Sequence, residues 1–185
     1  MRIVESNIEG LFIIEPDIYN DDRGYFMESF SERNFIASTG LDTHFVQDNE
    51  SLSHKGVLRG LHFQCAPYSQ AKLVRVVRGI VLDVAVDIRK GSPTFGKYVI
   101  TELSGENHRQ MFIPKGFAHG YITLEDNTIF QYKCDEYYHP EAEMGIIWND
   151  PEIGIDWGAD ESSIILSNKD KQHKTLNEID DSCLL

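Results

Sequence analysis

Short apolar runs recur along the chain, each closed by glycine, proline, aspartate or asparagine. GLFIIEP, YFMESF, HFVQDNES, KLVRVVRG, IVLDVAVDI, KYVITEL, QMFIP, GYITL and TIFQYKC are rich in Val, Ile, Phe and Tyr and read as strands. Helical periodicity is weak. Ser29 and Glu32 can form a capping box ahead of NFIAS, with a stop at Gly40. So many strands without long intervening helices predict an all-β, antiparallel sandwich or barrel with a few short peripheral helices. No repeat, low-complexity segment or Pro/Gly-rich linker divides residues 1–185, so one domain is expected.

The run from Val81 to Ile88 predicts how its sheet lies. Leu82, Val84, Val86 and Ile88 share one face; Val81, Asp83, Ala85 and Asp87 share the other. Neither face is wholly polar, so the strand is expected to be covered on both sides. Asp83 is then interior and needs a partner, in either a structural or a functional role.

Composition narrows the class. With 41% hydrophobic and 25% charged residues the 185-residue chain is an ordinary globular one, able to bury roughly 70% of its unfolded surface. A net charge of −13 offers no basic face for a phosphate backbone, so nucleic acid is not an expected partner. Glu5, Glu9 and Glu15 interrupt the N-terminal stretch, leaving no signal-peptide core, and nothing approaches the roughly 18 apolar residues of a membrane span. Cys65, Cys134 and Cys183 are odd in number and lack metal-ligand spacing. They read as free thiols in a reducing cytoplasm.

The candidate chemistry lies in polar residues embedded in strands, because a small barrel gathers inward side chains around one pocket. Gln47 and Asn49 share a face, Tyr132 interrupts an apolar strand, Lys72 begins another, and His119 follows a turn. Pro114-x-Gly116-x-x-His119 resembles the second motif of the cupin superfamily. Metal-binding cupins carry H-x-H and a carboxylate in the first motif, whereas here it reads His62-Phe63-Gln64 with no acid before Gly79. Two histidines fall short of the three protein ligands usual for Zn or Fe, so the expectation is a barrel without metal or other cofactor.

In LRGLHFQ, residues 58–64, Arg59 and His62 are costly to bury unless occupied. Their opposite parity would aim them apart on a regular strand. Gly60 offers a bulge that reconciles them. His62 is then either a satisfied core residue or a proton-transfer group. Ser167 lies three residues before Asp170, as in a helical cap, with Lys169 beside it as a solvated lysine. Tyr137 and Tyr138 read as interface or core fillers.

Taken together, DDRGYFMESF, FVQDNES, VLRGLHFQ, KLVRVVRG, DVAVDIRKGSPTFGKY, IPKGFAHGYITL, YKCDEYYHPEAEMGIIWNDPEIGIDW and LSNKD closely resemble the dTDP-4-dehydrorhamnose 3,5-epimerase family of metal-free cupins. They run in family order from about residue 10 to about residue 172. The resemblance implies a jelly-roll barrel that converts dTDP-4-dehydro-6-deoxy-D-glucose to dTDP-4-dehydro-L-rhamnose. It implies His62 as general base, Asp170 as its orienting partner and Tyr132 as general acid. Lys72 is the cation placed to stabilise an enolate. Arg23, Glu28, Gln47, Asn49, Arg59, Lys72, His119, Glu143 and Lys169 match ligand-contact positions, and Tyr138 matches the residue that stacks on thymine. The implied assembly is a homodimer in which the strand bearing Arg23 and Glu28 reaches the partner's site. The spacer GADESSIIL follows no recognised pattern, and the last dozen residues lie outside the match. A C3-only epimerase, another nucleotide-sugar isomerase or a non-catalytic sugar-nucleotide binder are the rival readings.

Overall fold

The structure is a computed structural model describing residues 1–185. Its strands, in chain order, are β1 Arg2–Glu5, β2 Phe12–Glu15, β3 Tyr19–Asp21, β4 Gly24–Phe26, β5 Gln47–Ser53, β6 Leu58–Gln64 and β7 Lys72–Arg78. They continue as β8 Ile80–Asp87, β9 Tyr98–Ser104, β10 Gln110–Ile113, β11 Phe117–Thr123, β12 Thr128–Cys134 and β13 Glu143–Gly145. The one α-helix, α1, spans Glu32–Thr39, and short 3-10 turns punctuate the C-terminal third.

One sheet has the order β1-β2-β10-β7-β12-β5 and a second the order β13-β6-β11-β8-β9, with β3-β4 a separate hairpin. All named pairings are antiparallel. The two larger sheets face each other as the jelly roll of a cupin, in line with the all-β expectation.

The alternation along β8 divides the core as its pattern required. Val81 and Ala85 pack with Val74, Val76, Leu103, Met111, Phe117 and Phe130 between the sheets. Val84, Val86 and Ile88 face outward, against Trp157, Leu176 and Ile179 of the C-terminal segment. The last dozen residues thus cover the outer face of the second sheet. Asp150 anchors them by accepting from the backbone N–H of Leu176 at 2.7 Å, and Lys90 pairs with Asp181 at 2.6 Å. The outer face of the first sheet is covered by α1, whose Phe35 meets Phe12 and Phe112.

Three expectations need correction. The cap of α1 is Ser31, which accepts from the Asn34 N–H, not Ser29. The Ser29 carbonyl is held instead by the Gln110 side chain at 2.8 Å, which keeps that residue outside the helix. Of YFMESF only Tyr25 and Phe26 join a strand. Cys65 and Cys183 are disulfide-bonded, 118 residues apart, and only Cys134 is free. Spacing could not reveal that pair, because it forms only when the C-terminal segment folds back over β6. The inference of a reducing compartment from unpaired thiols therefore loses its basis. No helix is long and apolar enough to cross a membrane.

Candidate active site

Period-two alternation on five strands aims polar side chains into the space between the sheets, where the apolar core stops short. Asn49 and Ser51 come from β5, Arg59 and His62 from β6, Lys72 from β7, His119 and Tyr121 from β11 and Tyr132 from β12. With Glu143, Ser167, Lys169 and Asp170 they line a cavity of about 660 Å³. An adjoining cavity of about 300 Å³ shares Asn49, His62, Lys72, Tyr132 and Glu143 and adds Gln47 and Tyr138.

The parity conflict in LRGLHFQ is resolved at Gly60. Tyr121 pairs with Arg59 and His119 with His62, so Gly60 and Leu61 together oppose Gly120. That extra residue turns Arg59 and His62 to the same side while Leu58, Leu61 and Phe63 pack outward. Only glycine fits here. Its φ is +128°, and a Cβ would lie 2.5 Å from the Gly120 Cα.

Asp170 reaches this strand from the far end of the chain. Ser167 Oγ accepts its backbone N–H at 3.0 Å, as the cap reading expected, but the carboxylate turns inward. Its Oδ1 lies 2.6 Å from His62 Nε2. Burial raises the Asp170 carboxyl, yet the hydrogen bond and charge of His62, with the Ser167 bond, outweigh it and hold it below the ordinary range. An ionised carboxylate only accepts, so His62 must carry its proton on Nε2 and leave the lone pair of Nδ1 free.

The second histidine has its own carboxylate. His119 Nε2 lies 3.0 Å from Asp83 Oδ1, which gives the buried Asp83 the partner its strand position demanded. Burial drives His119 below its ordinary range against the opposing pull of Asp83, so it is a neutral ring at neutral pH. The two histidines of the cupin motifs are thus register neighbours committed to different acids.

Lys72 and Tyr132 supply the remaining proton chemistry. The Lys72 ammonium lies 6.0 Å from the Tyr132 ring centre. Burial lowers the Lys72 pKa, with Cys134, Asp83 and Glu143 resisting, which makes it a better proton donor than an exposed lysine. Burial, reinforced by Cys134 and Tyr121, pushes the Tyr132 phenol up to about 12, so it stays protonated.

At the mouth, the Tyr138 hydroxyl donates to Glu143 at 2.6 Å, and Lys169 pairs with the same carboxylate at 2.5 Å. Gln47 Oε1 accepts the Tyr138 backbone N–H at 3.1 Å, tying β5 to this loop. Lys169 is therefore not a free surface lysine, and Tyr138 stands half-exposed at the entrance rather than filling a core.

Arg23 and Glu28 do not reach this cavity. Arg23 pairs with Asp21 at 2.5 Å at the tip of the exposed β3-β4 hairpin. Glu28 accepts from Asn34 at 2.6 Å and lines a separate cavity of about 410 Å³ with Phe26 and Phe35. Residues that sequence reasoning missed include Ser51, which bonds Tyr121 at 2.8 Å, and Ser53, which accepts from Arg59 at 3.2 Å. Their parity with Gln47 and Asn49 was the available signal. His173 was also missed; its ring packs edge-on to His62, with centroids 5.6 Å apart.

Comparison with known proteins places this geometry in a family. Residues 5–178 match the family described as dTDP-4-dehydrorhamnose 3,5-epimerase. The enzyme of that name from Methanothermobacter thermautotrophicus is 53% identical over 178 residues, covering 96% of this chain and 95% of its own. The one from Escherichia coli is 52% identical over 179 residues, covering 97% and 96%. The crystal structure of dTDP-6-deoxy-D-glucose-3,5-epimerase from Legionella pneumophila in complex with dTDP-4-keto-L-rhamnose superposes with a TM-score of 0.95 at 53% identity, covering 99% of this chain and 96% of that one. Matched from the first strands to the C-terminal turns, this chain belongs to the dTDP-4-dehydrorhamnose 3,5-epimerase family.

Proposed function

We propose that this chain inverts C3 and C5 of dTDP-4-dehydro-6-deoxy-D-glucose, giving dTDP-4-dehydro-L-rhamnose. The observation that carries the reading is that His62 and Tyr132 line one cavity together with Lys72. C3 and C5 both flank the C4 ketone, so each C–H is acidic once the enolate oxygen is stabilised. His62 Nδ1 takes the proton, the C–H electron pair forms the C=C bond of the enolate as the carbonyl π pair moves onto the C4 oxygen, and the Lys72 ammonium stabilises the developing charge. The Tyr132 phenol then returns a proton to carbon from the opposite face, and solvent restores both groups. Arg59 holds the diphosphate, Tyr138 stacks on thymine, and Gln47, Asn49, His119, Glu143 and Lys169 orient the rest.

A homodimer supplies what the single chain leaves out. Tyr19, Tyr25 and Phe26 stand 63%, 53% and 69% exposed on the hairpin that carries Arg23. Such an apolar arm suits the cavity mouth of a second copy, to which it would bring Arg23 and Glu28. Mixing inactive His62→Ala and Arg23→Ala chains should then restore part of the activity; mixtures as inactive as their components would exclude the exchange. We also place the reaction in the cytoplasm, because a charged nucleotide sugar does not cross a bilayer unaided; cell fractionation checks this.

Incubation with the substrate in heavy water tests the reaction. Deuterium at both C3 and C5 with L-configured product is the expected result. Label at C3 alone would assign a C3-only epimerase, and binding without label a non-catalytic module.

A further inference from the structure

We propose that His62, Asp170 and His173 form a binding site for a divalent transition-metal ion such as Zn2+, and that an ion held there inhibits the enzyme. The inhibition rests on the epimerase reading above; the site itself does not. Their ligand atoms lie within 4.8 Å of one another, the one group of three or more His, Cys, Asp or Glu side chains that converges in this chain. Asp170 Oδ1 is common to both edges, 2.6 Å from His62 Nε2 and 3.3 Å from His173 Nε2. A tetrahedral zinc centre with bonds of about 2.0–2.1 Å spaces its donors by about 3.3 Å. The Asp170–His173 edge already has that spacing, and the His62 edge must open by about 0.7 Å.

An independent observation points to a ligand. His173 Nε2 is buried, on a side chain only 10% exposed, and makes no well-formed hydrogen bond: Asp170 Oδ1, 3.3 Å away, lies within reach but out of hydrogen-bond geometry. A buried ring nitrogen left unpaired is costly, and a metal ion would satisfy it. The ring is also held in place: a Cβ at Gly145 would run into it, and His62 packs on its edge. Two imidazoles and one carboxylate suit Zn2+, Co2+ or Ni2+, and His62, 31% exposed toward the cavity, leaves a fourth position open for water.

The site would act on the base without filling the cavity. Metal-free His62 keeps its proton on Nε2 and its lone pair on Nδ1. An ion bound at Nε2 displaces that proton, and in the neutral ring it moves to Nδ1, the atom that must accept from the sugar. The ion loses one bound water for each ligand gained, and the dyad loses its hydrogen bond.

Calorimetric titration of the intact protein with ZnCl2, beside turnover in the same buffer with and without EDTA, tests both halves. One ion per chain should bind, turnover should fall as the site fills, and EDTA should restore it. In His173→Ala and His173→Asn, folded as judged by thermal unfolding, calorimetry should show Zn2+ affinity weakened roughly tenfold or more, and any turnover that remains should be correspondingly less sensitive to Zn2+. Absence of a one-ion isotherm, or variants that bind Zn2+ as tightly as the wild type, would overturn the site. Zn2+ binding without loss of turnover would overturn the inhibition. A chain inactive even after EDTA would sink the epimerase reading while the calorimetry still decides the site.

Discussion

His62 Nε2 and Asp170 Oδ1 lie 2.6 Å apart across 108 residues of chain, and this contact decides which nitrogen of the histidine is free. The Ser167 hydroxyl fixes the Asp170 backbone and burial shields the carboxylate from water. The imidazole is thereby held in one tautomer, and any positive charge it gains is stabilised.

Replacing Asp170 by Asn keeps the shape and removes that charge. An amide can donate to Nε2, which would shift the proton to Nδ1 and silence the base. The expected outcome in steady-state kinetics is a fall in kcat of roughly 10²–10⁴-fold with little change in KM, by analogy with carboxylate–histidine pairs elsewhere. A variant with wild-type kcat would remove Asp170 from the mechanism.

Tyr132→Phe separates proton removal from proton return. The variant keeps the ring that faces Lys72 and loses only the hydroxyl. His62 should still exchange sugar protons with solvent, so deuterium enters from heavy water while inverted product falls by roughly 10²–10⁴-fold. NMR of the recovered sugar reads both quantities. Wild-type inversion in the variant would assign the acid to another group.

The strand pattern carried most of the fold because each run alternates between two chemically distinct faces. The faces of β8 were legible residue by residue, down to the need of Asp83 for a partner. That the partner is His119 was not legible, since it depends on how β11 lies in register beside β8. Gly60 shows the other side of the same rule: a lone glycine announced a bulge, and the bulge reconciled Arg59 with His62. Chain segments without period-two patterning stayed opaque. The approach of Asp170 and His173 to His62, and of Cys183 to Cys65, depends on the path of an irregular C-terminal third. Arg23 stands away from the cavity because it lies at the tip of an exposed two-stranded hairpin, whose path the strand pattern did not reveal.

Acid stability should depend on Asp87. Burial raises its carboxyl, but Arg89, Ser92 and Thr94 together bring it down to about 2, from an ordinary value of 3.8. A depressed folded-state pKa stabilises above the unfolded value and is lost as pH falls through the interval between them. The contribution is about 2 kcal/mol above pH 4 and drains away between about pH 4 and pH 2. Asp87→Asn should be less stable at neutral pH and show a shallower fall in Tm across that acid window. Parallel Tm profiles for the two proteins would show that Asp87 does not govern the acid limb.

The Cys65–Cys183 bond ties the C-terminal turn to the residue that follows β6, three positions from His62. Closing so long a loop restricts the unfolded chain far more than it strains a site, so its effect should be on stability. Protein purified without reductant and then denatured should present one alkylatable thiol, Cys134, and three after reduction. Cys183→Ser should lower unfolding free energy by roughly 2–5 kcal/mol while leaving kcat near the wild-type value, because Leu176 and Ile179 still cover the outer face of the sheet. Three reactive thiols before reduction would refute the bond. A large loss of kcat at full stability would instead show that the tether sets the position of His62.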